Sequence, residues 1–323
     1  MAFWRAKKSQ PPVVSCFGKL AATGDFIRHN AATPENQAFD QWVGNAVNFA
    51  KETLAEHFST YYTPSVGLFI YRGDCSGGQE PERGLVGVWA ASGDSAGRRY
   101  PMAIMTAYDY EQMLAVGPAL PIAVWPFLTA AYDLVTNGRE LAPDEFVGRV
   151  AQIQPVPLDQ AESAVAGYTS WIEQQSMSAF WQSAFGSEDW RHPVMMNLHA
   201  SLELFVGSDR PQTNLALRFP LGSGDAYAAA VWLDMTLRLG KWSRTVNSAF
   251  WSPQRDLTIH IGPPHIATFR EIIASSEGGS EHVMDMLQPP SMELSVARER
   301  LAPALRETVD NVDQSIASFL RSL

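Results

Sequence analysis

Cysteine is scarce in this 323-residue chain; Cys16 and Cys75 are the only two. Two thiols make no disulfide framework, and no Cys-x-x-Cys or Cys/His cluster accompanies them, which argues against a structural zinc site. They fit a reducing compartment. Basic residues are also short: 24 Lys and Arg against 34 Asp and Glu, a formal net charge of −10. A protein that holds nucleic acid through phosphates, or sits on an anionic membrane, normally carries the opposite balance. No long uninterrupted apolar run is present. Met1 to Val14 carries Arg5, Lys7 and Lys8 and reads as neither a signal peptide nor a membrane span. The most apolar stretch, Leu114 to Leu134, contains Gly117, Pro118, Pro121 and Pro126 and reads as a proline-started amphipathic helix. No internal repeat or low-complexity tract is present. The expectation is a soluble cytoplasmic protein.

What is present is core-forming material. The apolar share is 46% against 18% charged, and about 150 residues per domain suggests two domains. Residues 1–12 read as a mobile arm. Residues 13–137 alternate strand and helix patterns. Strand candidates are Val13–Phe17, Ser65–Tyr71, Leu85–Ala91 and Met102–Ala107, the middle pair separated by a glycine-rich turn from Gly73 to Gly84. Thr33 can cap a helix begun by Pro34, and Phe39, Trp42, Val43, Ala46, Ala50 and Leu54 follow at helical spacing. A second helix is expected from Ala119 to Thr136, stopped by Asn137-Gly138. This is an α/β layer domain.

Residues 138–323 form a second α/β (or α+β) region. Helices are expected at Asp159–Phe185, at Ala226–Leu239 and after Pro264. Strands are expected at Asn214–Phe219, Val246–Trp251 and Leu257–Ile261. Ser275 to Ser280 reads as a flexible loop. After Gln288-Pro289-Pro290 comes a closing amphipathic helix with Leu305, Val309, Val312, Ile316 and Phe319 on a narrow seam, expected to dock on its own sheet.

Most patterns that hint at chemistry fail on inspection. Gly73-Asp74-Cys75-Ser76-Gly77-Gly78 approaches a serine-nucleophile motif, but Cys75 interrupts it and no base-bearing segment accompanies it. Gly222-Ser223-Gly224-Asp225 lacks the lysine of a phosphate loop, and Asp225 is better placed as a helix cap. His192 with His199, and His260 with His265, lack metal-ligand spacing; His29, His57 and His282 stand alone. Glu188-Asp189 and Asp74/Glu80 have no partner for acid–base work. Trp42, Trp89, Trp181 and Trp242 read as core, or as interface anchors if exposed. No catalytic, cofactor-binding or metal-binding residue is assigned.

One constellation is more specific. Gly18-Lys19-Leu20 and then Gly24-Asp25-Phe26-Ile27-Arg28 follow the first strand. Gly87-Val88-Trp89 leads into Ser92, Asp94, Gly97-Arg98-Arg99-Tyr100-Pro101. Both are strand-to-loop transitions carrying glycine, an acid and arginine, so the two loops should be neighbours, with Asp25 or Asp94 bonded to Arg98 or Arg99. That pairing could pin the loops and do nothing more, or it could shape a small-ligand cleft.

These segments resemble the signature of the TagF family of bacterial type VI secretion. The family reads Gly-Lys-Leu-Pro-x-x-Gly-Asp-Phe-[Ile/Val]-Arg, then a Trp-bearing helix, then Ser-x-Asp-x-x-Gly-Arg-x-[Phe/Tyr]-Pro. Here Ala21 replaces the common proline and Trp42 lies on the helix. The resemblance covers about Val13 to Thr136. Beyond that it thins to Phe250-Trp251, Gly262-Pro263-Pro264 and Phe269. It implies a three-layer α/β sandwich with a mixed sheet. It also implies a cytoplasmic, non-enzymatic, post-translational repressor that binds the forkhead-associated scaffold protein of that system. Some members are fused to a phosphatase; its Asp-Gly-x-Gly metal signature is missing from this chain. An enzyme acting at Asp25, Asp94, Arg98 and Arg99, and a structural part of the secretion machinery, are the alternatives.

Overall fold

The computed structural model describes residues 11–63, 65–73, 82–208, 211, 213–222, 226–243, 245–251, 256–274, 282–286 and 294–323. Expectations for the N-terminal arm, for Asp74 to Gly78, for Ser223 to Asp225, for the 275–280 loop and for Gln288-Pro289-Pro290 lie outside these residues.

The first half runs β1 (Val14–Lys19), β2 (Phe26–His29), α1 (Pro34–Leu54), α2 (Phe58–Tyr62), β3 (Val66–Tyr71), β4 (Arg83–Ala90), β5 (Met102–Asp109), α3 (Tyr110–Val116) and α4 (Leu120–Asn137). Helices α5 (Pro143–Val150), α6 (Glu162–Gln174), α7 (Met177–Phe185) and α8 (Arg191–Leu202) come next. The rest is β6 (Ala216–Pro220), α9 (Ala226–Leu239), β7 (Ala249–Trp251), β8 (Asp256–His260), α10 (Ala267–Ile273), β9 (Val283–Asp285), α11 (Leu294–Arg300), α12 (Pro303–Asp310) and α13 (Ile316–Ser322).

All nine strands join one mixed sheet, ordered β2-β1-β5-β4-β3-β7-β8-β6-β9. The first five are antiparallel to their neighbours, and the parallel pair is β6 with β9. Pairing of β3 with β7 carries the sheet across both halves of the chain. Side chains alternate across the pleat. On β4, Val86, Val88 and Ala90 enter one core with α4 and α9, while Leu85 and Trp89 enter the other with α1 and α10. Helices therefore cover both faces, giving three layers.

Helix α1 starts at Pro34 after Thr33, as its sequence suggests. The Thr33 hydroxyl accepts from the Asn36 side chain at 2.9 Å, not from a backbone N–H. Phe39, Trp42, Val43, Ala46, Ala50 and Leu54 form the buried stripe.

Three expectations need correction. Phe26–His29 is strand, so the first motif turns back as a hairpin on β1. The expected 159–185 helix is broken at Gln175-Ser176, and the expected closing helix is two helices broken at 311–315. The two breaks satisfy each other: Met177 N donates to Gln314 O at 3.0 Å and Ile316 N to Gln175 O at 2.9 Å. Backbone groups lost to one helix are thus recovered across the fold. Val309, Ile316 and Phe319 are nevertheless buried in the protein's own core. The stretch Tyr110–Asn137 is long and apolar enough to cross a bilayer by length and composition, but half of its most apolar window is buried inside the protein.

Candidate functional site

The two motif loops are zipped together. Gly18 makes the closest approach: at φ +140°, a Cβ there would lie 2.2 Å from Pro101 O and 2.6 Å from Met102 Cα. Glycine is required on both counts. The first and last motif residues therefore touch. Ser92 Oγ donates to Lys19 O at 2.6 Å, and Ser95 N to Thr23 O at 3.0 Å. Arg98 Nη2 donates to Gly24 O at 2.7 Å.

Asp94 organises its own loop. Its Oδ1 accepts the backbone N–H of Ala96 at 3.0 Å and of Arg98 at 2.8 Å, an Asx-type turn closed by Gly97 at φ +79°. Its Oδ2 accepts from Arg98 Nε at 2.7 Å and from Lys19 Nζ. The side chain of Asp94 is fully buried, and that of Lys19 is 5% exposed. Lys19, then the loop N–H and Arg98, hold the carboxyl far below the usual carboxylate range despite its burial. With four donors on two oxygens, Asp94 has no free lone pair for a substrate proton.

Around this pair lie aromatics and further cations. Phe26 on β2 is 45% exposed, stands edge-on to Tyr100 at 5.0 Å and covers Lys19 Nζ at 4.5 Å. Tyr100 OH donates to Asp40 on α1 at 2.5 Å, which Arg28 also holds at 2.9 Å. Burial, and then Asp40, keep that phenol well above its ordinary pKa. Arg99 bonds Ser59 O at 3.4 Å and Thr63 Oγ1 at 3.1 Å, and its carbonyl accepts from Lys51 Nζ at 3.2 Å. Lys51 has its pKa lowered by burial and by the charges of Arg99 and Lys19.

Asp25 stands apart. It is exposed, and its carboxylate makes no ion pair among the described residues. The local ion pair is Asp94 with Arg98, and the ion pair between the loops is Lys19 with Asp94. Leu20 is core. Trp42 is core too, stacked on Phe250 at 5.1 Å with Nε1 donating to Pro264 O at 2.9 Å. Trp89, Trp181 and Trp242 are buried, so the interface role allowed for them is withdrawn. Asp40, Lys51 and Tyr62, whose OH bonds Ser92 O at 2.9 Å, were not among the candidates. Asp40 and Lys51 stand eleven residues apart, three helical turns, which puts them on one stripe of α1. Among the described residues, no group of three or more His, Cys, Asp or Glu could hold a metal ion.

The site thus belongs to a three-layer α/β protein whose two glycine- and arginine-bearing loops close over one edge of the sheet. Residues 15–153 match the model of the TagF N-terminal domain, type VI secretion system-associated. The first part of the chain, residues 15–153, is therefore a TagF N-terminal domain. The match continues past residue 137 through α5, whose Phe146 and Val150 are buried. Among solved structures, PA0076 from Pseudomonas aeruginosa PAO1 aligns at 17% identity over 83% of this chain and 96% of that one, with a TM-score of 0.45. No curated protein matches the chain.

Proposed function

We propose that this chain is a non-enzymatic regulator of the type VI secretion system, a cytoplasmic post-translational repressor that acts by binding the forkhead-associated scaffold protein. One observation supports this most. The family-signature residues assemble into an exposed corner of the first domain that carries a half-exposed aromatic, Phe26, and the exposed arginines Arg28 and Arg98. Aromatic and arginine side chains dominate interface energetics. The corner rests on two loops joined by the Lys19–Asp94–Arg98 bonds and by Ser92 on Lys19 O. Saturation of Asp94 weighs against its acting as a general acid or base at a cleft there.

The test pairs genetics with binding. Deleting the gene raises secretion if the protein is a repressor and abolishes it if the protein is a structural part. The purified chain should retain the scaffold protein in a pull-down, and Phe26→Ala should lose most of that capture while melting within about 1–2 °C of the parent. Full capture by the Phe26 variant removes this corner from the interface.

A further inference from the structure

The corner differs electrostatically from the rest of the molecule. The chain carries a net −10, yet Lys19, Lys51, Arg98 and Arg99 converge beside the single buried carboxylate of Asp94. The adjoining Arg28–Asp40 pair is neutral, and exposed Asp25 is the one carboxylate of the hairpin tip. Lys51 and Arg99 have no carboxylate partner among the described residues; they bond carbonyl and hydroxyl oxygens instead. Glu52 and Glu56, the next acids along the chain, are exposed and bond neither cation. Burial first, and then the charges of Arg99 and Lys19, make Lys51 hold its proton less tightly. Like charges gathered without compensation cost stability, and an arriving anion relieves that cost.

Two further features define what arrives. Phe26 offers a half-exposed apolar ring within the positive field. Strand β2 is an outermost strand of the sheet, short and with one edge unpaired among the described residues. An extended chain can add to such an edge, its side chains read by the pockets beside it.

We infer that the corner docks an acidic segment of a protein partner that carries one apolar side chain against Phe26, with its carboxylates over Lys51 and Arg99. The inference rests on the repressor reading only in taking the scaffold protein as first probe. Binding is measured with the full chain at 50 and 500 mM NaCl, for the parent, for Lys51→Gln/Arg99→Gln and for Phe26→Ala, with melting curves on each. The expected result is roughly tenfold weaker binding of the parent at high salt. The double variant should lose about five- to twentyfold at 50 mM and little at 500 mM, because its missing contacts are the screened ones. Phe26→Ala should lose about tenfold at both salts. Equal affinity of parent and double variant at 50 mM overturns the inference.

A synthetic peptide, three glutamates, one phenylalanine and three glutamates, forms the second arm, read by NMR chemical-shift mapping. Shifts at Phe26, Lys51 and Arg99 support the acidic-segment site even where the scaffold fails to bind, an outcome that would sink the repressor reading alone. Shifts confined elsewhere, or none at millimolar peptide, overturn the inference itself.

Discussion

Opposite ends of the sheet hold two ion centres built from the same parts and closed to different degrees. At the β1–β2 end, Asp94 serves Lys19 and Arg98, and the Arg98 side chain is 65% exposed. At the β6–β8–β9 end, Arg218 serves two acids: Asp256 at 2.5 and 2.7 Å and Asp285 at 3.2 Å. Arg218 and Asp256 are both buried. The first centre has cations in excess, with arms reaching water. In the second, one buried arginine bonds two carboxylates. Local ion pairing alone does not mark a binding surface; half-exposed cations without a carboxylate partner among the described residues, Lys51 and Arg99, beside an exposed ring do.

The surroundings sharpen this contrast. One face of β3, β4 and β5 presents Phe69, Tyr71, Leu85, Trp89 and Met105 to α1 and α10. Farther along the sheet, the alternate residues of β6 and β8 are Arg218, Asp256, Thr258 and His260, also buried. His260 bonds Thr268 at 3.0 Å through Nε2. Burial, and then the charge of His265, push its pKa down to about 3.

The largest effect is expected at the closed centre. Arg218→Met strands a buried Asp256 and should cost about 3–5 kcal/mol by urea denaturation. Adding Asp256→Leu should recover part of that; no recovery would mean the pair is not the source of the loss. Asp94→Asn comes next. It leaves Lys19 buried without its anion, lowers the melting temperature and abolishes scaffold capture. Since the Asp94 pKa is depressed in the folded state, its contribution is complete above the unfolded carboxylate value near 4 and is lost as pH falls below it. The parent should therefore lose stability more steeply than the Asn variant below about pH 4.

A third expectation concerns His260. Its folded pKa lies below the unfolded value of about 6.5, so between roughly pH 6.5 and 3 the unfolded chain binds a proton that the native chain refuses. Stability should fall with pH across that window by about 1.4 kcal/mol per pH unit from this group. His260→Leu should flatten that slope; an unchanged slope would assign it to His192 or His265, whose pKa values burial also lowers. The smallest effect belongs to Arg98→Ala. Its side chain is 65% exposed, and without it Asp94 keeps Lys19 and two backbone N–H donors, so the variant should melt close to the parent while capturing less scaffold.

The two centres also differ in how far they could be read from sequence. Asp94, Gly97 and Arg98 lie close together in one loop, and Gly18 to Arg28 carries the matching half, so their juxtaposition was legible. Arg218, Asp256 and Asp285 come from three separate strands and show no local pattern. The same divide runs through the fold. Helix α1 was readable because Pro34 starts it and its apolar stripe is regular. The breaks at Gln175-Ser176 and at 311–315 were not, because each is stabilised by the other's backbone across more than 130 residues. Strand β2 was hidden because four residues, with only Ile27 buried, carry too little alternation to show. Helix α8 was missed because Pro193 sits in its first turn, where proline is tolerated but reads as a breaker.

The central claim is that the cation-rich corner, and not the closed centre, meets the partner. Hydrogen–deuterium exchange of the full chain with and without the scaffold protein tests it directly. Slowed exchange confined to 23–30 and 92–100, with 256–260 and 282–286 unchanged, is the result this account predicts. Protection at the β6–β8–β9 end, with the motif loops unaffected, would contradict it.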